Sequence, residues 1–304
     1  MNWSQVLDIK FYNRQTQKIE TEKVYGDAQV RWLYQTPTGQ FLLIFLVKAF
    51  ISKIYGAYQN WSISKAKIEP FIQDFGIDLA DFEPTPGRSK SDPYASFNEF
   101  FIRTFVPGKR TFVNEPKIMP AFSEARYFAY ESMTDEQTVP VKGRHLSAKA
   151  LLNRTRWNDT FNEGPLLLAR LCPVDYHRFH YPDNGKVLDY YRVHGKLHSV
   201  NPVALKEFGD IFATNERQVT IIETENFGKL AYIEVGALCV GKIVQSGSLE
   251  EFKRGDEKGY FLFGGSTVIV LGEKGRWTPE PDMLEYTAKG IETYLQLGEP
   301  VARA

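Results

Sequence analysis

After Pro120 the chain consists largely of short runs of β-branched, aliphatic and aromatic residues. Turn-forming residues, such as those at 182–185 and 226–228, separate these runs. Helical patterns interrupt them only at residues 148–153 and 281–297. This pattern of short strands and turns predicts a compact β-rich domain and not a series of βαβ units. The predicted strands cover residues 127–130, 166–171, 188–193, 218–222, 230–235, 238–244, 260–263 and 267–271.

The part of the chain before residue 113 has a different, helical character. Residues 28–68 contain no Asp or Glu but carry five Lys and Arg side chains among many aromatic residues. Within them, residues 41–55 show a helical apolar pattern that Lys48 and Lys53 interrupt. The run is therefore shorter than the roughly 18 apolar residues that a membrane-spanning helix needs. It fits either a core helix with solvated lysines or a helix lying in a membrane interface.

The fold class that follows is α+β. A helical N-terminal region, residues 1–112, is expected to associate with a membrane, and a compact β-rich domain, residues 113–304, follows it. Two more helices are predicted at residues 64–81 and 97–105. The polar residues of the second helix are expected to be structural or solvated rather than catalytic, and they are Asn98, Glu99 and Arg103.

Composition restricts the partners and the compartment. The chain has 37 basic and 37 acidic residues, so it has no overall field that would attract nucleic acid. Cys172 and Cys239 lie in apolar surroundings without Cys-x-x-Cys spacing, which favours free thiols in a reducing compartment. The first residues lack the basic and apolar regions of a signal peptide, so we expect an intracellular protein.

Gly264, Gly265 and Ser266 stand between the last two predicted strands. Glycines permit positive φ, so this corner fits the tight turn of a hairpin. A strained turn would also offer the Gly265 carbonyl to the Ser266 hydroxyl, which could attack it if a base accepts the proton. The corner is thus either a turn alone or a site of self-cleavage.

Four segments, in their order and spacing, resemble the phosphatidylserine decarboxylases, a family of self-processing pyruvoyl enzymes. They are residues 97–103 (FNEFFIR), 175–180 (DYHRFH), 235–241 (VGALCVG) and 263–267 (FGGST). The resemblance implies that the β-rich domain is catalytic. It also implies decarboxylation of phosphatidylserine to phosphatidylethanolamine, with a pyruvoyl cofactor made from Ser266.

The resemblance also assigns roles to single residues. His180 would be the base that activates Ser266, and His177 would handle the proton of the later decarboxylation. Alignment puts Glu124 where the family usually has an Asp that orients the base, although Glu124 also fits a solvated turn. His-x-x-His also occurs in metal sites, but no further ligand stands at suitable spacing, so no metal is expected. Three other histidines match no motif: His145, His194 and His198.

The implied chemistry begins when Ser266 Oγ attacks the Gly265 carbonyl. Elimination from the resulting ester and loss of ammonia would leave the pyruvoyl group, whose ketone would draw electrons as carbon dioxide leaves. Two chains would result, residues 1–265 and 266–304.

The expected partners are phosphatidylserine and an anionic phospholipid membrane, on whose cytoplasmic face the protein would lie peripherally. Nucleic acid is not expected, and a homodimer is left open.

Two other functions fit the same residues. Some relatives of this family act on soluble substrates, so the chain also fits a pyruvoyl-dependent decarboxylase of a free amino acid. Glu124 at the usual Asp position fits an unprocessed, non-catalytic relative that only binds anionic lipid.

Overall fold

The computed structural model describes residues 9–23, 25–46, 56–133, 146–200, 211–237, 242–264 and 266–304. These residues form an α+β architecture in which strands predominate, which confirms the predicted fold class at this level. Of the residues and segments singled out above, Lys48, Lys53, His145, Cys239 and Gly265 lie outside the described residues, as do 47–55 and 238–241.

The strands within the described residues are numbered in chain order. The first nine are β1 Lys10–Asn13, β2 Lys18–Thr21, β3 Phe82–Glu83, β4 Thr104–Phe105, β5 Ile118–Pro120, β6 Ala125–Tyr130, β7 Leu166–Leu171, β8 Arg178–His180 and β9 Gly185–Val193. The others are β10 Arg217–Thr224, β11 Gly228–Val235, β12 Ile243–Gln245, β13 Glu251–Phe252, β14 Glu257–Phe261, β15 Ser266–Gly272, β16 Thr278–Pro279, β17 Glu292–Leu295 and β18 Pro300–Arg303.

The α-helices of the described residues are short. They are α1 Asp27–Gln35, α2 Pro37–Leu46, α3 Ile68–Phe75, α4 Phe97–Phe101, α5 Ala148–Leu152, α6 Thr155–Phe161, α7 Ile211–Thr214 and α8 Pro281–Ala288. Two 3₁₀ turns cover Ser62–Lys67 and Leu79–Asp81. Among these helices none is both long and apolar enough to cross a membrane.

Ten strands form the main sheet, in the order β13-β9-β10-β11-β15-β7-β6-β17-β1-β2. Neighbouring strands are antiparallel except β1 and β17, which run parallel. Strand β15 lies near the middle, between β11 and β7, and all its residues are buried. Its β-branched and aliphatic residues suit a strand that is covered on both faces. Ser266, the first residue of β15, is therefore held by strands on both sides.

The two strands beside the glycine corner do not pair with each other. Strand β14 lies between β12 and β8 in a separate three-stranded sheet, whereas β15 lies in the main sheet. The corner is therefore a crossing between two sheets, and a hairpin turn is wrong for it. Because β8 pairs with β14, the crossing also brings the corner close to the 175–180 segment.

The helix predicted over 64–81 stops at Phe75, where Gly76 follows with φ 65°. Two further predicted helices also end earlier than expected. The helix predicted over 281–297 stops at Ala288, Gly290 follows with φ 69°, and the chain then enters β17. The helix predicted over 97–105 stops at Phe101, and Thr104–Phe105 pairs with β3. In both cases pairing with distant strands overrides the local helical pattern.

The N-terminal residues also contribute to the main sheet. Strands β1 and β2 form its edge, although no strand was predicted there. Helices α1 and α2 follow. Helix α2 confirms the helix predicted over 41–55 as far as residue 46, and residues 47–55 lie outside the described part of the chain.

The buried side chains form two clusters. The larger one packs against the main sheet. The second, which we call the aromatic cluster, joins α3 and α4 to the residue that precedes the glycine corner. Its members are Ile68, Phe71, Tyr94, Phe97, Phe100, Phe101 and Phe263.

Candidate functional site

Ser266 is fully buried, and its hydroxyl makes no hydrogen bond to any described residue. The residue pairs with Leu171 of β7, so its backbone position is fixed by the main sheet. Gly264, two residues earlier, has φ 146°, a conformation that L side chains rarely adopt. A buried hydroxyl without a hydrogen-bond partner destabilises the folded state, so its presence calls for an explanation. Together with its place after the glycine pair, this marks Ser266 as a candidate nucleophile.

His177 lies beside this corner and is fully buried. Its Nδ1 donates to the backbone carbonyl of Asp175 at 3.0 Å, so Nε2 carries the lone pair. Nε2 has no partner of hydrogen-bond geometry among the described residues. The backbone of Gly264 is nevertheless close enough to raise the pKa of the ring. Burial, and then the charge of Arg103, lower the pKa of His177 to about 3. The ring is therefore neutral at physiological pH, with its lone pair on Nε2.

His180 is also buried, but both of its ring nitrogens are occupied. Nδ1 donates to the carbonyl of Gly255 at 2.9 Å, and Nε2 lies 3.3 Å from the hydroxyl of Tyr176. Burial lowers the pKa of His180 as well. Its lone pair is thus engaged by Tyr176, whereas that of His177 is free among the described residues.

Glu124 does not bond to His180 in the described structure. Its carboxylate accepts two hydrogen bonds from Arg110, at 2.6 and 3.0 Å. The hydroxyl of Tyr294 and the backbone N–H of Leu297 also donate to it, at 3.0 and 3.3 Å. The guanidinium neutralises the carboxylate charge, which makes this a stable arrangement for a buried acid. An orienting role of Glu124 toward His180 stays a prediction.

A network of buried charges, which the sequence did not predict, lies behind the site. Arg170 of β7 bonds to Glu292 at 2.7 Å and to Glu22 at 2.6 Å. Arg126 of β6 lies 3.1 Å from Glu22 and donates to Asp175 at 2.6 Å. Burial alone would raise the pKa of Glu22, but the two arginines outweigh it and lower the value to about 2. The network ties together the strands on one side of β15.

Cys172 belongs to this network, because Arg170 donates to its sulfur at 3.0 Å and its backbone N–H donates to Asp175 at 2.7 Å. It is a buried free thiol, and burial raises its pKa well above the usual value. His194 is exposed and His198 is buried elsewhere. Among the described residues there is no group of three or more His, Cys, Asp or Glu that could hold a metal ion.

A cleft of about 320 Å³ opens next to the site. Its wall includes Arg103, Arg126, Asp175, Tyr176 and Tyr294. Asp175 and Tyr176 directly precede His177 in the chain, so the cleft reaches the loop that carries this histidine.

These features define a class of β-rich proteins in which a buried serine directly follows a glycine pair and a histidine lies beside that pair. Comparison with known sequences gives the family. The family described as phosphatidylserine decarboxylase matches residues 97–302. Phosphatidylserine decarboxylase proenzymes of Clostridium perfringens and Clostridium tetani are each 38% identical to this chain. The alignments cover 96% of this chain and 99% of the first relative, and 97% and 98% for the second.

A proenzyme of the same name from Desulfitobacterium hafniense is 39% identical over 96% of this chain and 97% of its own length. The chain belongs to the phosphatidylserine decarboxylase family. The predicted resemblance is thereby confirmed, and the name proenzyme suggests that members of the family are processed after synthesis.

Proposed function

We propose that this protein is a phosphatidylserine decarboxylase, a carboxy-lyase that converts phosphatidylserine to phosphatidylethanolamine and carbon dioxide. We further propose that its cofactor is a pyruvoyl group made from Ser266. Membership of the family supports the reaction. The observation that supports this cofactor is the buried Ser266 hydroxyl, which has no hydrogen-bond partner among the described residues. Ser266 lies at the start of a central strand, directly after the glycine pair.

Self-cleavage follows from the chemistry of this corner. Ser266 Oγ attacks the Gly265 carbonyl, the peptide C–N bond breaks, and the hydroxyl proton passes to the freed nitrogen of residue 266. Loss of the Cα proton then expels the Gly265 carboxylate, which leaves a double bond in residue 266. Water replaces the nitrogen, which departs as ammonia. The products are the chains 1–265 and 266–304.

The side chains around residue 266 fit the group that would result. A pyruvoyl group supplies a ketone conjugated to an amide, which can accept electrons as carbon dioxide leaves. The pairing of β15 with β7 and β11 would keep position 266 in place after the cut. The buried surroundings exclude bulk water, and the lone pair at Nε2 of the neutral His177 can take up a proton during a step of the reaction.

We propose His177 rather than His180 as the acceptor of the Ser266 proton. Among the described residues the lone pair of His177 has no hydrogen-bond donor, whereas that of His180 is engaged by Tyr176. The resemblance of the sequence motifs implies the opposite order, with His180 as the base for Ser266 and His177 for the proton of the decarboxylation. The variants His177→Gln and His180→Gln separate the two assignments. If His177 is the base, only its replacement slows self-cleavage a hundredfold or more, in keeping with the usual contribution of a general base.

Contact with a membrane is a further proposal. Five large apolar side chains within residues 28–68 are exposed, and they are Trp32, Phe41, Leu42, Trp61 and Ile63. Exposed aromatic residues next to lysines suit the interface of an anionic membrane. We propose that residues 1–112 hold the protein peripherally on the cytoplasmic face of a membrane and that residues 113–304 carry the catalysis. Assembly into a homodimer is compatible with this arrangement.

The test begins with the intact mass of the purified protein under denaturing conditions. We expect two chains that meet between Gly265 and Ser266, the shorter one lighter by one ammonia than a chain that begins with serine. Ser266→Ala should give one full-length mass. The processed protein is then mixed with vesicles that contain phosphatidylserine, and carbon dioxide and phosphatidylethanolamine are measured.

The outcomes separate the alternatives. Release of carbon dioxide from a free amino acid but not from vesicles would favour the decarboxylase of a soluble substrate. An uncut protein that binds anionic vesicles without releasing carbon dioxide would favour the non-catalytic relative.

A further inference from the structure

Asn98, in α4, bonds directly to the segment that leads into the glycine corner. Its Oδ1 accepts the backbone N–H of Phe263 at 2.8 Å. Its Nδ2 donates to the carbonyl of Gly56 at 3.2 Å and to Oδ1 of Asn60 at 2.8 Å. The partners fix the orientation of the amide, because one is a donor and two are acceptors. Asn98 is buried, so these bonds are shielded from water.

The side chain of Phe263 is held by the same helix. Its ring packs against Phe97 and Phe101, with centroid distances of 5.1 and 5.0 Å, and against Tyr25 at 6.0 Å. The backbone and the ring of Phe263 are therefore both fixed by residues more than 150 positions earlier in the sequence. Only two residues, Gly264 and Gly265, separate Phe263 from Ser266.

The other side of the site depends on the same segment. The ring of Phe101 lies 3.8 Å from the ring of His177, centroid to centroid. The guanidinium of Arg103 donates to the backbone carbonyls of Val174 and Asp175, at 2.8 and 3.4 Å. The Asp175 carbonyl also accepts from His177 Nδ1, so Arg103 holds the group that orients the histidine.

The start of α4 is itself well fixed. Ser96 caps it by accepting the backbone N–H of Glu99, and the Glu99 side chain accepts the N–H of Ala95 at 2.7 Å. The Ser96 bond satisfies a donor that a helix start otherwise leaves free, and the Glu99 bond fixes the backbone just before the cap. A helix of five residues thereby becomes a firm support for the residues that it presents.

We propose that residues 97–103 position both parts of the self-cleavage site, with Asn98 as the positioning residue for the scissile segment. The proposal rests on the self-cleavage proposed above and adds a residue to it. Asn98 fixes Phe263 on one side, and the pairing of β15 fixes Ser266 on the other. The two glycines thus join two fixed points, so the proposed attack of Ser266 Oγ requires less conformational search. Such confinement is worth orders of magnitude in rate.

The test compares the rate of self-cleavage in freshly synthesised precursors. Asn98→Leu is close in volume but cannot accept the bond from Phe263, and we expect it to cleave at least about a hundredfold more slowly than the natural protein. Asn60→Ala is the matched control, because it removes one bond of Asn98 Nδ2 and leaves the bond to Phe263. We expect it to cleave within about threefold of the natural rate.

Hydroxylamine identifies the affected step. It cleaves the ester formed by the attack of Ser266 and so splits any precursor that has completed this step. If Asn98 positions the attack, hydroxylamine will not restore splitting of Asn98→Leu. Rapid splitting on addition of hydroxylamine would show that the attack is unimpaired and would overturn the proposal.

Folding is checked with the same substitutions in a Ser266→Ala background, where no cut occurs. If Asn98→Leu does not fold, Asn98→Ala decides, because it removes the acceptor for Phe263 without adding a charge or a larger apolar group. We then expect cleavage at least about a hundredfold slower than the natural rate. A natural rate in a folded Asn98→Leu or Asn98→Ala would overturn the proposal. An uncut natural protein would instead refute the proposed function, and the role of Asn98 with it.

Discussion

The hydroxyl of Tyr294 donates to the carboxylate of Glu124 at 3.0 Å, and a cut before Ser266 would place these two residues in different chains. The backbone N–H of Leu297, in the same C-terminal part, donates to the other oxygen of Glu124. Burial and the neighbouring Glu124 raise the pKa of Tyr294 well above its usual value, so its hydroxyl stays protonated and able to donate. Glu124 thus joins the two chains in addition to any role that it has toward His180.

Replacement of Glu124 should weaken this junction. Glu124→Ala leaves the largely buried guanidinium of Arg110 without its partner, and we expect it to lower the free energy of unfolding by about 2–4 kcal/mol. Chemical denaturation of the uncut Ser266→Ala protein measures this change. Glu285→Ala, which breaks an exposed pair with Lys289, is the control and should cost less than about 1 kcal/mol. Equal losses in both variants would contradict a stabilising role of Glu124.

His177 should make the stability of the precursor depend on pH. Its pKa falls from 6.5 in the unfolded chain to about 3 in the folded state, so between these values the unfolded chain binds a proton that the folded chain does not. Stability therefore decreases as the pH falls through this range. From about pH 7.5 to about pH 5 we expect a loss of about 2 kcal/mol from His177.

Denaturation of the Ser266→Ala protein at the two pH values measures this loss. His177→Asn keeps a donor for the Asp175 carbonyl and removes the titrating group, so it should be less sensitive to pH. His194→Asn, at an exposed position, should leave the sensitivity unchanged. The same pH dependence in His177→Asn and in the parent would show that His177 does not contribute.

Gly264→Ala should slow self-cleavage. A side chain at φ 146° is strained, and we expect a cost of about 1–3 kcal/mol with a shift of the corner that lowers the cleavage rate at least tenfold. Gly87→Ala provides a comparison at φ 85°, in open space and in another loop. It should lose about 1 kcal/mol of stability and cleave normally. Pulse-chase separation of the two chains on a gel gives both rates, and equal rates would refute the special role of Gly264.

Removal of Arg170 should be among the most destabilising single changes. Arg170→Leu leaves Glu22 and Glu292 buried without one of their cations, and we expect a loss of at least about 3 kcal/mol in the free energy of unfolding. Arg192→Ala breaks a more exposed pair with Glu216 and should cost less than about 1 kcal/mol. The comparison uses denaturation of the Ser266→Ala protein, and a similar cost for both variants would contradict the proposed importance of the network.

Local pattern predicted eight of the eighteen strands in the described part of the chain, but not their partners. The runs at 166–171 and 267–271 coincide with β7 and β15 to within a residue, because a strand buried on both faces needs a continuous apolar run. The run at 260–263 overlaps β14, which covers residues 257–261. Strand β14 pairs with β8 and β12 and not with β15. Nothing within the corner itself distinguishes a hairpin from a crossing between sheets, since glycines permit both.

The sequence by itself determined the family, the α+β class and the identity of the candidate residues, because these depend on residue types and their order along the chain. Tertiary structure alone decided that, among the described residues, the lone pair of His177 is free while that of His180 is engaged. It also decided that Glu124 bonds to Arg110 and Tyr294, and that Asn98 holds Phe263. Each of these contacts depends on backbone atoms or side chains that folding brings together, in some cases from more than 150 residues away. Hydrogen bonds and pKa values respond to such neighbours in space, which local sequence patterns do not encode.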